Sequence, residues 1–184
     1  MSGQTLTILA IIFLGILLLR ISPGKSKFKR SDKDAYFPVV SGRNLDRKEL
    51  EFPKDFSKEY NLMMIPFKRY QQDVVDTWVP HLQNLERSFS SFTYFELPTL
   101  YEMSVLYRSF LNEGMRAGIP DPKARRQTIT LYLDKEQFKN ALNIDSENQV
   151  HLFLVTFEGK IIWKETGLYD QAKEKSLVSL MEKK

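Results

Sequence analysis

The sequence predicts an α/β domain, a partly parallel sheet flanked by helices, preceded by one amino-terminal transmembrane helix. Short apolar runs alternate with segments of helical spacing in the order β-α-β-α-β-α-β-β-α, which is typical of a sheet covered by helices on both faces. The last two strands flank Glu158-Gly159, a turn that favours a hairpin. The uncharged segment 2–19 precedes a basic stretch, a pattern found in membrane anchors.

The composition narrows the chemistry that the chain can perform. Of its 184 residues, 42% are hydrophobic and 27% are charged, a balance that indicates one globular domain rather than a disordered chain. Cysteine is absent, which excludes disulfides, thiol redox catalysis and thiolate zinc sites. The two histidines, His81 and His151, lie on different predicted elements, and neither a glycine-rich phosphate loop nor a nucleophile elbow occurs. We therefore expect no cofactor, no metal and no enzymatic activity.

Residues 2–19 predict a membrane anchor. This segment is rich in Leu and Ile, and as a helix its 18 residues would reach about 27 Å, just enough to cross the hydrocarbon core of a bilayer. The alternative is a cleaved signal peptide, which needs a positively charged start and a small-residue cleavage site. Neither feature is present before or around Arg20, so the sequence favours an uncleaved anchor.

The positive charge of the chain is concentrated directly after this segment. Residues 20–33 contain six basic residues and one acidic residue, a charge of +5, and the whole chain carries +4, so the remainder carries −1. A nucleic-acid-binding body would itself be basic, so we expect no nucleic acid partner. The positive-inside rule places the body in the cytoplasm, or in the matrix of a mitochondrion. Four residues are candidates for contact with anionic head groups: Lys25, Lys27, Lys29 and Arg30.

The predicted domain organisation is an anchor (2–19), a basic linker (20–35) and a folded body (36–184). In the body, residues 61–67 predict a strand buried on both faces. Residues 70–88 predict a helix, which Pro80 kinks or restarts. The apolar stripe of this helix comprises Val74, Val75, Trp78, Leu82, Leu85 and Phe89.

The next segments continue the alternation. Residues 91–97 predict a strand, and residues 100–115 predict a second helix that carries on one side Leu100, Met103, Leu106, Tyr107, Phe110 and Leu111. Asp121-Pro122 predicts the start of a short helical turn. Residues 127–133 alternate apolar and polar side chains and predict a strand.

The last third of the chain has the clearest local signals. Asp134 and Gln137 form a capping-box-like start for a helix over 135–142. The final predicted elements are two hairpin strands and a helix, residues 150–157, 160–166 and 171–181.

The order of these elements resembles the thioredoxin fold. The lead-in from Phe37-Pro38 to Leu45, the buried strand ending at Phe67, and the closing hairpin with Trp163 are similar to redoxin-type domains. The redox cysteine pair of that fold would lie in residues 68–73, where this sequence has no cysteine. No proline precedes the hairpin in 147–151, where thioredoxins have a cis-proline. The resemblance therefore implies the fold without its redox residues.

The body is similar to one subgroup in particular, the mitochondrial ATP synthase assembly-factor family that includes the yeast ATPase chaperone "ten", and its bacterial relatives. The similarity lies in residues 61–65 and 71–78, in residues 112–135 leading to Thr130-Leu131-Tyr132-Leu133, and in the hairpin segment 159–163. It implies a non-enzymatic helper in assembly of the membrane sector of ATP synthase.

Two groups of residues are candidate sites. At the carboxyl end of the first buried strand, where open α/β sheets bind ligands, a polar surface for a protein partner is predicted from Lys68, Arg69, Tyr70, Gln71, Gln72, Asp73 and Asp76. The alternative is a solvated loop and helix start. A small anion site is predicted from Arg116, Lys123, Arg125 and Arg126, with an exposed charged connection as its alternative.

Together these features predict a membrane-anchored, non-catalytic thioredoxin-like protein that acts as an assembly or scaffold partner of a membrane complex. Two other interpretations remain open. One is a redoxin-type enzyme that works without its own cysteine, and the other is a sensor that binds a small anion.

Overall fold

A computed structural model describes residues 35–182. The predicted anchor, residues 2–19, and the predicted lipid-contacting residues Lys25, Lys27, Lys29 and Arg30 lie outside the described residues. Within residues 35–182, the longest and most apolar helices fall short of what a membrane span requires.

Eight strands are present in the described residues: β1 (Val40–Asn44), β2 (Glu49–Phe52), β3 (Tyr60–Ile65), β4 (Phe92–Glu96), β5 (Thr99–Tyr101), β6 (Ile129–Leu133), β7 (His151–Thr156) and β8 (Ile161–Thr166). They form two four-stranded sheets, with the orders β2-β1-β6-β5 and β4-β3-β7-β8. A parallel bridge between Glu96 and Thr128 joins the two sheets at the end of β4.

The strand directions are mixed. β3 pairs parallel with β4 and antiparallel with β7, and β5 pairs parallel with β6. β7 and β8 form an antiparallel hairpin at one edge. The predicted partly parallel sheet with a terminal hairpin is therefore confirmed.

Five α-helices flank the sheets within the described residues: α1 (Gln72–Ser88), α2 (Val105–Gly118), α3 (Pro122–Gln127), α4 (Lys135–Leu142) and α5 (Gln171–Met181). A short 3-10 turn, Arg69–Gln71, leads directly into α1. Pro80 lies inside α1 and neither ends it nor restarts it, because the helix continues without a break to Ser88.

The core lies on both faces of β3, all of whose residues are buried. Met63 and Ile65 face one apolar cluster, which α4 covers with Phe138 and Leu142. The other cluster contains Leu62 and Met64 of β3 together with residues of α1 and α5: Val75, Trp78, Leu82, Leu85, Leu177 and Met181. Full burial of one apolar side chain contributes about 1.5–3 kcal/mol to the stability of the folded state. Because β3 supplies such side chains to both clusters, it is the centre of the fold.

Local sequence signals set several boundaries. The Asp134 carboxylate accepts a hydrogen bond from the Gln137 backbone N–H, and that of Asp121 accepts from the Lys123 N–H, as the two predicted helix starts require. Gly159 adopts φ of +88° in the hairpin turn, a conformation that costs glycine little.

The predicted helix 100–115 is wrong at its start. Leu100 and Tyr101 belong to β5, where they pair with Tyr132 and Leu133 of β6, and the helix begins only at Val105. No residue of α2 is buried, so its apolar residues do not face the core. Pairing with a strand some 30 residues away overrides the local helical spacing.

Candidate binding surface at the carboxyl end of β3

The chain leaves β3 through Pro66 and Phe67 and enters the segment 68–73, which we call the β3 loop. The side chain of Gln71 holds this loop: its Oε1 accepts hydrogen bonds from the backbone N–H groups of Phe67 (2.7 Å) and Lys68 (3.1 Å), and its Nε2 donates to the Glu147 carbonyl (2.8 Å). Gln71 is 1% exposed. The structure thus corrects its predicted role, because its amide is buried and bonds to backbone groups of the chain itself.

An ion-pair network lies beside the β3 loop, in which Glu147 contacts two lysines. The Lys135 ammonium lies 2.6 Å from Glu147 Oε2, and the Lys139 ammonium lies 3.0 Å from Glu147 Oε1. Lys135 is buried and its ammonium also lies over the ring of Tyr101, 4.2 Å from the centroid. Burial acts to raise the pKa of Glu147, but the hydrogen bonds from the two lysines outweigh it and lower that pKa below its ordinary value.

Sequence reasoning did not single out Lys135 or Glu147. Neither belongs to a motif, and they meet only because α4 starts beside the turn that precedes β7. The nearby pair of Lys68 Nζ and Asn148 Oδ1, 2.7 Å apart, ties the β3 loop to that same turn. The carboxyl end of β3 is therefore a braced polar platform rather than an open cleft.

The outer side of this platform is exposed. Tyr70 is 63% exposed, and the Lys68 ammonium lies 5.8 Å from its ring centroid. The remaining exposed residues of the predicted partner surface are Arg69, Gln72, Asp73 and Asp76. An exposed tyrosine among charges of both signs can contact a protein partner through its ring and its hydroxyl. We call this set, with Tyr70 at its centre, the platform surface.

A buried carboxyl group lies behind the platform surface. Glu96, at the end of β4, is 9% exposed. Its pKa is raised to about 7, mainly by burial and also by the charge of Asp76, while a hydrogen bond from Gln72 acts to lower it. Sequence reasoning missed this residue, because a glutamate at the end of a predicted strand carries no signal of its burial.

The residues of the predicted anion site fall into two groups. Arg125 Nε lies 3.0 Å from Asp46 Oδ1, and the guanidinium groups of Arg116 and Arg126 lie 3.7 and 3.8 Å from the same carboxylate. Lys123 instead pairs with Glu86 at 2.5 Å. Each predicted cation therefore contacts a carboxylate of the chain itself.

The histidines lie apart. His81 stacks on Tyr169 with ring centroids 3.6 Å apart, and its Nδ1 lies 3.5 Å from Glu174 Oε2. His151 Nε2 lies 2.8 Å from the Ser146 carbonyl. In the part of the chain that the structure describes, no three His, Asp or Glu side chains gather as a metal site would require.

No protein-family model and no curated protein sequence matches this chain. Solved structures of similar shape do exist. The thioredoxin domain of a thiol-disulfide oxidoreductase from Bacteroides vulgatus is 18% identical, with a TM-score of 0.53, over 79% of this chain and 95% of that domain. A putative DsbE thiol:disulfide interchange protein from Chlorobium tepidum is 12% identical, with a TM-score of 0.52, over 82% and 98%.

A third similar structure is BsSco, described as a member of the Sco family of cytochrome c oxidase assembly proteins. It is 10% identical to this chain, with a TM-score of 0.53, over 83% of this chain and 95% of that one. At these identities the likeness shows the fold alone. The described residues have a thioredoxin-like fold.

Proposed function

We propose that this protein is a membrane-anchored, non-catalytic thioredoxin-like protein that acts as an assembly or scaffold partner of a membrane complex. The observation that carries the proposal is the platform at the carboxyl end of β3. In the position where redox members of the fold carry their cysteine pair, this chain has the β3 loop, braced from inside by Gln71 and exposing Tyr70 outside.

The chemistry of this platform suits recognition better than turnover. The sequence offers no thiol to the β3 loop, and the ammonium of Lys135 is occupied by Glu147 and the ring of Tyr101. The exposed residues around Tyr70 instead combine an aromatic ring with both signs of charge, which is typical of a protein-contacting rim. Such a surface binds without forming or breaking covalent bonds.

Two further considerations support an assembly role. BsSco is described as belonging to a family of cytochrome c oxidase assembly proteins, so the fold is compatible with helping to build a membrane complex. The resemblance of residues 36–182 to the ATP synthase assembly-factor family makes the membrane sector of ATP synthase the specific client that we propose.

The amino-terminal segment supplies the membrane part of the proposal. The uncharged residues 2–19 are long enough to span a bilayer, and the +5 stretch that follows favours a body in the cytoplasm or the mitochondrial matrix. Anchoring would confine the platform surface to a thin layer next to membrane-embedded clients and so raise its effective concentration.

The test is site-specific photo-cross-linking in native membranes, followed by identification of the captured proteins. A photoreactive phenylalanine analogue replaces Tyr70 in the full chain. The matched control carries the same analogue at Tyr36, which is 55% exposed and pairs with Lys160 at the opposite end of the sheet. We expect subunits of one membrane complex to be captured from position 70 and not from position 36.

The outcomes separate the alternatives. Membrane-sector subunits of ATP synthase captured at position 70 support the whole proposal, and another membrane complex supports the assembly role while replacing the client. Equal capture from both positions overturns the role of the platform surface. Turnover of a peroxide or a disulfide by the purified chain, above that of a heat-inactivated sample, overturns the non-catalytic assignment.

A further inference from the structure

The helix α2 (Val105–Gly118) attaches to the body through its polar side. Its three charged residues all contact other parts of the chain. Arg108 Nε donates to the Met103 carbonyl (2.8 Å), Glu113 pairs with Arg47 (2.9 Å), and Arg116 Nη1 donates to the Leu45 carbonyl (2.7 Å). All three charged side chains of α2 therefore have partners within the chain, and the opposite side of the helix faces away from the body.

A neutral hydrogen bond reinforces this attachment from the sheet. The Tyr132 hydroxyl donates to Asn112 Oδ1 at 2.9 Å, and the Arg108 guanidinium lies 5.1 Å from the Tyr132 ring centroid. Since Tyr132 belongs to β6, α2 is held over that strand by its Arg108 and Asn112 side. The orientation of the helix is therefore fixed by several independent contacts.

The outward side of α2 is apolar and uncovered in the described residues. Leu106 is 83% exposed and Phe110 is 77% exposed. At about 100° per residue, the residues opposite the attached side form one arc without a charged side chain. We call it the exposed arc, and it comprises Leu106, Tyr107, Phe110, Leu111, Gly114, Ala117 and Gly118.

The exposed arc is bulky in one half and flat in the other. Its first half carries large side chains, and its second half carries Gly114, Ala117 and Gly118. A Cβ placed on Gly114 or Gly118 would have no atom within 4 Å, so open space lies over both glycines. Small residues four positions apart let a second helix approach closely.

We propose that the exposed arc is covered by α2 of a second copy of this chain, packed antiparallel about a two-fold axis near residue 112. In this arrangement Phe110 lies against Gly114 of the second copy, and Leu106 lies against Gly118. Each pairing occurs twice, since an isologous interface uses the same patch on both copies. The bulky half of one arc thus fills the space over the flat half of the other.

Charge and area agree with this occupant. The charges of α2 are engaged with their own body, so the two arcs meet without a like-charge contact. Covering the exposed arc on both copies removes on the order of 1,000 Å² from water, the size at which a specific interface becomes stable. A helix that binds a lipid surface is expected to carry bulky apolar side chains along its whole apolar side. Gly114 and Gly118 do not fit that pattern. The inference is independent of the proposed assembly function, which uses the platform surface.

The cysteine-free sequence allows a direct test in native membranes. Full-length chains carrying Phe110→Cys are co-expressed with full-length chains carrying Gly114→Cys, under separate tags, and are oxidised. We expect the disulfide between position 110 of one chain and position 114 of the other to form more often than random pairing would give. The 110–110 and 114–114 disulfides should be correspondingly rarer. In an antiparallel pair the two 110 positions are offset by about 6 Å along the axis in addition to the distance between the helices, which places their Cα atoms beyond the range that favours a disulfide. A predominance of same-residue disulfides, or a yield equal to that of a control pair at Val39 and Leu168, overturns the proposal.

A second measurement uses the mass of the purified full-length protein in a mild detergent. We expect two copies per particle for the wild type and one copy for Phe110→Asp. The matched control is Phe157→Asp, which changes an exposed phenylalanine outside α2 and leaves two copies. Thermal unfolding of both variants verifies that they fold.

Three results overturn the dimer, and the second and third also identify another occupant. A wild type with one copy per particle leaves the arc without a second copy. Loss of binding to anionic vesicles by Phe110→Asp, with an unchanged copy number, assigns the arc to lipid. A disulfide within one chain between Phe110→Cys and Ile12→Cys assigns it to the segment 2–19.

Discussion

The helices α1 and α2 both have amphipathic sequences, but the apolar side of α1 is buried and that of α2 is exposed. α1 directs Val75, Trp78 and Leu82 into the core, whereas α2 buries none of its residues. α1 connects two adjacent parallel strands, β3 and β4, and such a crossover packs its apolar stripe onto the sheet. α2 follows the short strand β5 and is held by charged and polar contacts instead. Apolar spacing therefore shows that a helix has an apolar side, while the topology decides what covers it.

The largest expected difference between the two helices comes from deleting an aromatic residue of α1. Trp78 is fully buried and its Nε1 donates to the Gly167 carbonyl at 2.9 Å. We expect Trp78→Ala to lower the free energy of unfolding by about 3–5 kcal/mol, because it leaves a cavity and an unpaired carbonyl. Chemical denaturation of the full chain measures this. A loss below about 1 kcal/mol would contradict the assignment of α1 to the core.

The second prediction concerns pH and the edge of the sheet beneath α1. The buried Glu96 has a pKa raised to about 7, against an ordinary value of 4.5. The folded state therefore holds its proton more tightly than the unfolded state. The associated stability is fully present below about pH 4.5 and is lost as the pH rises through 7, a loss on the order of 3 kcal/mol.

The variant Glu96→Gln removes this titration. We expect its free energy of unfolding to change less than that of the wild type between pH 5 and 8, and to exceed it at pH 8. Denaturation curves at several pH values measure the difference. The matched control is Glu102→Gln, which alters an exposed glutamate near β5 and should retain the wild-type slope.

Much of the fold was predictable because its signals are local. The buried run of β3, the aspartate caps at Asp134 and Asp121, and the Gly159 turn each depend on residues close in sequence. The fold of β5 was not predictable in this way. Its residues Leu100 and Tyr101 fit a helical spacing, and only pairing with β6 makes them a strand.

The candidate site divides in the same way. The exposed residues around Tyr70 could be selected from the sequence, because a polar segment after a buried strand indicates the binding edge of an α/β sheet. The buried ion pair of Lys135 and Glu147 could not, since its partners come from different elements and form no motif. The burial of Gln71 could not be predicted from the sequence either. Its three hydrogen bonds are made to backbone groups, which every residue has, so no particular residue type marks its partners.

A third prediction tests how α2 is attached. Tyr132→Phe removes the hydroxyl that donates to Asn112 and keeps the ring. We expect a loss of about 1 kcal/mol in the local stability of α2, which is roughly a fivefold faster hydrogen exchange of its amides, and little change in α1. Hydrogen exchange of the full chain resolves the two helices. Tyr36→Phe serves as the control, and unchanged exchange in α2 would mean that the hydroxyl does not hold the helix.

The smallest expected effect belongs to the exposed arc. Leu106→Ser changes a side chain that is 83% exposed, and in a single copy of the chain it should alter the free energy of unfolding by no more than about 0.5 kcal/mol. The same substitution in the core-facing stripe, Leu82→Ser, should cost several times more. Protein concentration separates the two cases, since a second copy that binds only the folded chain adds stability as concentration rises. For a dimeric arc, the wild type therefore gains stability with concentration and Leu106→Ser does not, whereas the deficit of Leu82→Ser is already present in dilute protein.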